Sequence, residues 1–369
     1  MSPSPTSLLV TLLLFNAVAP PIAAAQQPIT LDDVEEGLPD ITADEPLAAE
    51  YSAEKAAQYL DRSALNWQKT KKCATCHTNL FYMVARPALG TILPDSGEVR
   101  SFYEDYRKVR WQQKGPTETQ GFWPVVVGAG LTFNDAQTTG KLSDVAREVL
   151  DIVWTVQRED GGWKWPDCDY APIEIDDHYG VTIAALTVGI APDGYAETPQ
   201  ARAGLEKLRM YLKNNPPKSL HHRAMLAWCS IRVDGIASES QRHETMTELL
   251  ALQLEDGGWS TSGLLTDWKT RKDGQPLETK ISDGYGTGLV IVIARELGVP
   301  ADDARLRRGI DWLHTNQRES GKWFTRSPVN ECRNLISNAG SALAILALQA
   351  CGELPGGRLG LTKQDTSKP

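Results

Sequence analysis

The sequence predicts an all-α protein of about six helical hairpins closed into a ring, and two observations predict it. The string Gln-x3-Gly-x-Trp occurs at Gln157/Gly161/Trp163, Gln253/Gly257/Trp259 and Gln317/Gly321/Trp323. In each copy an apolar-periodic stretch runs into the Gln, a Gly breaks the helix, and a Trp follows. The second observation is helical apolar periodicity in paired segments bounded by Gly and Pro. The first three pairs are 52–70 with 78–91, 97–112 with 118–133, and 141–158 with 177–190. The others are 199–214 with 219–233, 240–254 with 283–297, and 302–317 with 336–351. In a ring of hairpins the first helix of each pair lies outside and the second lines the centre, so the second must be the more apolar. Val181–Val188, Gly288–Ala294 and Ala342–Ala347 carry no charge, whereas Ala201–Lys213 and Ala304–Asp311 are amphipathic. The predicted fold class is an α/α toroid.

The fullest repeat reads Arg308-Gly309-x2-Trp312-Leu313-x3-Gln317-x3-Gly321-x-Trp323. It resembles the QW motif of squalene-hopene cyclases, whose toroidal domains are shared with protein prenyltransferases. The motif has a local physical sense. A Gln amide reaches backbone groups left open at helix ends, and the indole covers the same junction. It stabilises the turn and has no catalytic part.

Residues 1–25 read as a signal peptide, with an apolar run from Leu8 to Ala19 and small residues Ala23-Ala24-Ala25. Export to a periplasmic or extracellular space follows. No Lys or Arg precedes the run, so retention as a peripheral membrane protein is the alternative. Residues 26–50 read as an acidic linker, 51–352 as the toroid and 353–369 as a disordered tail. A net charge of −9 with no long basic cluster excludes nucleic acid, since phosphate binding needs a basic surface.

If all lining helices run the same way, their N-termini gather at one end, where free N–H groups and helix dipoles favour acidic or anionic groups. His77, Asp176, Asp177, His178, His221, His222 and Asp283 lie at those starts. They form either a working rim or a set of helix caps. A metal there would draw on His77, His178, His222 and Asp283.

After Gly161-Gly162-Trp163-Lys164-Trp165 the chain reads Glu174-Ile175-Asp176-Asp177. This resembles the Asp-x-Asp-Asp acid motif of squalene-hopene cyclases, where the middle aspartate protonates a polyene. The resemblance makes Asp176 the general acid, flanked by Glu174 and Asp177, with no cofactor required. Such an acid must stay protonated in a desolvated pocket. This chain departs from the motif at Glu174 and at His178-Tyr179, and it has room for one toroid where the family normally uses two. The alternative is that Asp176 or Asp177 only caps a helix. A zinc site like that of prenyltransferases would use Asp177, His178 and Cys168, whose spacing does not reproduce that family's motif.

Cys73-Ala74-Thr75-Cys76-His77 matches the attachment signature of c-type haem, in which two thiols bond the vinyl groups and the His ligates iron. A local disulfide or a metal are the competing uses. Trp165, Tyr179, Tyr285, Phe81 and Tyr82 are the aromatics nearest the rim, and Thr261–Lys280 is either a lid or a surface loop. Three functions follow. The first is a terpene-cyclase-like protein holding an apolar isoprenoid-type ligand, with or without acid-initiated cyclisation as an isomerase. The second is a haem-carrying electron-transfer protein, and the third a non-catalytic binding toroid.

Overall fold

The computed structural model describes residues 27–110 and 121–355; the secretory segment expected over 1–25 and nearly all of the expected tail lie outside the described residues. The described chain is all-helical, with isolated bridges and no strand. The hairpins are α1 (Ala53–Lys71) with α2 (Asn79–Ala85), α3 (Glu98–Arg110) with α4 (Phe122–Thr138), and α5 (Asp144–Thr155) with α6 (Asp177–Ile190). They continue as α7 (Pro199–Asn214) with α8 (Leu220–Cys229), then α9 (Glu239–Ala251), the short α10 (Thr261–Leu264) and α11 (Gly284–Glu296), and last α12 (Ala304–Thr315) with α13 (Ile336–Ala350).

The second helices touch in cyclic order: α2 meets α4, α4 meets α6, α6 meets α8, α8 meets α11, α11 meets α13, and α13 returns to α2. Their sequences explain this position. Helix α13 is buried along its whole length from Ile336 to Leu348, and α11 from Gly284 to Ala294. Such helices cannot face water on any side. The first helices α1, α3, α5 and α7 touch in series outside them, and α1, α5 and α7 bury only one stripe.

The three Gln-x3-Gly-x-Trp turns do the same job at three places. Each Gln Nε2 donates to the carbonyl of its own turn glycine and to a carbonyl of the next first-type helix. Gln157 reaches Gly161 at 2.9 Å and Gly204 of α7 at 3.0 Å. Gln253 reaches Gly257 at 2.8 Å and Arg305 of α12 at 2.7 Å. Gln317 reaches Gly321 and Ser52, the residue capping α1, both at 3.0 Å, and its Oε1 accepts from the Ser52 N–H at 2.7 Å. The last hairpin is thereby fastened to the first. Each Trp Nε1 donates to the carbonyl ten residues earlier: Trp163 to Val153, Trp259 to Leu249 and Trp323 to Leu313. The turn glycines have φ of +91°, +95° and +97°. A Cβ on Gly321 would overlap the Lys55 carbonyl of α1, so both conformation and space demand glycine.

The segment expected to be a linker is packed instead. Ile29, Val34 and Ile41 are buried, and Ala48 N donates to the Gln317 carbonyl at 2.8 Å while Glu319 N donates to Pro46 at 3.0 Å. An acidic composition hid this because three well-spaced apolar residues suffice to dock a strap whose other side chains stay in water. Glu45 adds a pair with Lys322.

Gly321→Ala should lower stability by about 3 kcal/mol or more, through positive φ and overlap together. Gln317→Ala should cost about 2–4 kcal/mol, from three lost hydrogen bonds and an orphaned Ser52 N–H. Urea unfolding followed by helical circular dichroism measures both; losses below about 0.5 kcal/mol would mean that the turn does not close the ring.

Candidate functional site

The second helices start next to one another. His222 at the start of α8 meets Asp176 and His178 of α6. The ring nitrogen Nε2 of His221 bonds the Tyr285 hydroxyl of α11 at 2.9 Å. Tyr285 N donates to Thr325 Oγ1, Thr325 N to Ser337 Oγ of α13, and Asn338 Nδ2 to Thr78 Oγ1 beside α2. A common direction for these helices is the physical consequence.

The three carboxylates of the acid-like motif nevertheless have three different sets of partners. Asp176 caps α6, its Oδ1 accepting from Tyr179 N at 3.2 Å, and its Oδ2 lies 3.2 Å from His222 Nε2. Lys218 N donates to His222 Nδ1 at 3.3 Å, which leaves the ring proton on Nε2 for Asp176. Burial alone would raise the Asp176 pKa, but the hydrogen bond and charge of His222 and the Tyr179 N–H outweigh it and hold the carboxyl at about 2. Asp177 accepts from Trp165 N at 2.7 Å and pairs with Arg158 at 2.5 Å. Glu174 is buried near Cys76 and Cys168, and desolvation raises its pKa although both thiols favour its ionised form.

This corrects the expected arrangement in two respects. Glu174 does not flank Asp176, because it is buried on the side of Cys76 and Cys168; Asp177 borders the same pocket as Asp176 but is held by Arg158 and the Trp165 N–H in the first turn of α6. The group with the raised pKa is Glu174, and Asp176 is an ionised carboxylate. Protonating an alkene needs a neutral acid, a state that Asp176 at about 2 scarcely populates near neutrality.

His178 stacks on His222, with ring centroids 4.3 Å apart and planes at 19°. It is 6% exposed, and neither ring nitrogen has a hydrogen-bond partner among the described residues. Burial first, then the charge of His222, lowers its pKa to about 4, so it is a neutral imidazole with one donor and one acceptor to offer. It borders a pocket of about 490 Å³. Asp176 and His222 form the adjoining wall, Trp165, Ile175 and Tyr211 give apolar surface, and Lys164 and Lys218 give charge. Tyr211 and Lys218 carry no sequence signal, since they come from the end of α7 and the turn before α8.

The four residues considered for a metal are dispersed. His178 and His222 stack together, but His77 lies against Tyr170 and Trp67, and Asp283 caps α11 while bound to Thr261 and Gly286. Among the described residues no group of three or more His, Cys, Asp or Glu is arranged to hold a metal ion. Asp283 has its pKa raised to about 6 by burial, against the hydrogen bonds that hold it in place.

Haem is tested by the surroundings of Cys73-x-x-Cys76-His77. The His77 ring is 2% exposed, stacked on Tyr170 at 4.1 Å and edge-on to Trp67 at 4.7 Å, and its Nδ1 bonds Thr78 Oγ1. Cys76 is buried beside Glu174. The nearest large depression, about 730 Å³, is bordered by Trp67 and Tyr170, and neither cysteine nor His77 reaches it. As folded, these residues do not fit a haem, because the flat group would have to displace Tyr170.

The centre is bordered by residues of all six second helices, among them Phe81, Phe133, Tyr179, Trp228, Tyr285 and Leu346, and its cavity is about 30 Å³. That is room for a water or two. Of the aromatics expected near the rim, Trp165 borders the polar pocket, Phe81, Tyr179 and Tyr285 border the centre, and Tyr82 is buried core. The Thr261–Lys280 segment packs on neighbouring loops, Leu265 against Ala171 and Val329, over the same end.

Known protein families and curated proteins were compared with this chain, and none matches.

Between pH 6.5 and 4 the unfolded chain protonates its His178 imidazole and the folded chain does not, so stability should fall as pH drops through that window. Asp176 adds a further loss as pH falls from 3.8 toward 2, where its folded carboxyl finally protonates. Urea midpoints measured across pH should therefore fall below pH 6.5, and fall less steeply in His178→Phe. An identical slope in that variant would place His178 in water.

Proposed function

We propose that this chain is an exported α/α toroid of terpene-cyclase-like build. In this reading it holds a small, partly apolar ligand with a hydrogen-bonding head group in the pocket between α6 and α8. The cyclic contact order and the three Gln-x3-Gly-x-Trp turns support the scaffold. One observation carries the site: a buried, neutral His178 with both ring nitrogens unpartnered, bordering a pocket of about 490 Å³. A buried imidazole without partners costs about 1–3 kcal/mol per unmet group, which a ligand hydroxyl would recover.

An isoprenoid alcohol fits this chemistry. Its hydroxyl would meet His178, and its first isoprene units would lie on Ile175, Trp165 and Tyr211. The Asp176 carboxylate, kept ionised by its His222 partner, would accept a hydrogen bond from that hydroxyl. Acid-initiated polyene cyclisation in the ring centre is not part of this reading, because a cavity of about 30 Å³ is filled by side chains.

Calorimetric titration with farnesol and geranylgeraniol tests it. Saturable binding is expected, weakened about tenfold or more in His178→Phe by loss of the hydrogen bond. No binding, or equal binding by the variant, would remove the site. Incubation with squalene is expected to give no cyclic product; a product that Asp176→Asn abolishes would restore the acid role and overturn the binding reading.

A further inference from the structure

The Cys168–Glu174 loop lies against the start of α2. Cys168 N donates to the Glu174 carbonyl at 3.1 Å, and Tyr170 pairs with Glu174 in an antiparallel bridge, so the loop folds back on itself. The Tyr170 ring stacks on His77 at 4.1 Å, which places the loop directly over the residue after Cys76. The Cys76 and Cys168 thiols both lie close enough to the Glu174 carboxyl to act on its ionisation. The Cys73 Sγ donates to the Ala74 carbonyl at 3.6 Å. Cys168 is exposed and Cys76 buried, so one thiol of the pair meets solvent and the other waits behind it.

The geometry points to Cys76 and Cys168 as an oxidisable thiol pair, closed to a disulfide by a small-molecule disulfide, that fastens the loop before α6 to the start of α2. The haem-like spacing of Cys73-x-x-Cys76-His77 is then incidental, and the working partner of Cys76 is distant in sequence. Glu174 takes the Cys168 proton, and the thiolate attacks the oxidant, releasing one small thiolate that takes that proton back from Glu174. Cys76 then loses its proton to Glu174 and attacks the Cys168 sulfur of the mixed disulfide, expelling the second small thiolate, which Glu174 protonates in turn. Two protein thiols are oxidised, one small disulfide is reduced, and Glu174 ends as it began. Arg333, whose guanidinium lies 4.8 Å from the Tyr170 ring centre, is the cation that favours the Cys168 thiolate against the effects of burial and Glu174. A raised carboxyl pKa brings Glu174 nearer to that of a thiol and makes it a better base than an ordinary surface glutamate.

The consequence for the molecule is local. The loop runs through Ile175 directly into Asp176, so the disulfide would hold one wall of the α6/α8 pocket in place. It would also link residues far apart in the chain, which restricts the unfolded state most.

The full chain, purified reduced and incubated with oxidised glutathione, provides the test. Thiols titrated after unfolding should fall from six to four. A non-reducing digest should yield one linked pair of peptides carrying Cys76 and Cys168. The link should vanish in Cys168→Ser, whose exposed position leaves folding intact, and persist in Cys73→Ser. The oxidised protein should melt at a higher temperature than the reduced one, with no such difference in Cys168→Ser. An undiminished thiol count, a Cys73–Cys76 link, or glutathione retained on Cys168 without closure would overturn the proposal. So would a Soret band and a haem-bearing Cys73–Cys76 peptide from protein made in a haem-attaching host.

Discussion

One glutamine contact, repeated three times, sets the shape of the molecule. The amide of each turn Gln binds its own hairpin and the following first-type helix at once, so successive hairpins cannot drift relative to each other. At Gln317 the following helix is α1, reached across the whole chain through Ser52. A chain that only curved would leave α13 with an open apolar face. Closure gives that face α2 and α11 as neighbours, which is why α13 can be apolar on every side. Glycine at φ near +95° and an indole N–H bonded ten residues back complete a turn in which backbone groups left over by two helix ends find partners.

Closure of that kind forces the second helices to start at one end, and chemistry follows from what gathers there. Dipoles and free N–H groups favour carboxylates at helix starts, and Asp176 and Asp283 both cap a helix in this way. Their environments then separate them. Asp176 has an imidazole partner and is held near 2, while Asp283 is wholly enclosed and pushed to about 6 by desolvation. Glu174, two residues before Asp176, is turned inward to thiols and raised as well. Carboxyls of one rim thus differ in the direction of their pKa shift, lowered at Asp176 and raised at Asp283 and Glu174. The centre of the ring is lined by apolar and aromatic side chains and almost filled, so polar ligand chemistry belongs to the rim and not the axis.

Much of the candidate site was legible because helix starts are legible. His178 and His222 fall two and three residues after the capping residues Asp176 and Ser219, and neighbouring helices bring such positions together. What was not legible depends on side-chain direction within a few residues. Nothing in Glu174-Ile175-Asp176-Asp177 says that the first carboxyl turns to Cys76, the third residue to His222 and the fourth to Arg158. The grouping of His77 and Asp283 with the other two failed for a related reason. Sharing an end of a ring does not mean sharing a pocket, since Tyr170 and the Thr261–Lys280 loop fill the space between.

The sequence by itself determined the all-helical class, the hairpin boundaries to within a few residues, and the three turns. Those are local: a 3.6-residue period, a helix-breaking glycine and a Gln-x3-Gly-x-Trp spacing act within a few residues of themselves. Only the tertiary structure decided that Gln317 reaches Ser52, that residues 27–52 are a docked strap, that the Cys168–Glu174 loop lies over the start of α2, and which carboxyl is ionised. Each of these is set by burial and by partners tens to hundreds of residues away, and a pKa or a hydrogen bond at such a distance has no signature in the composition around it.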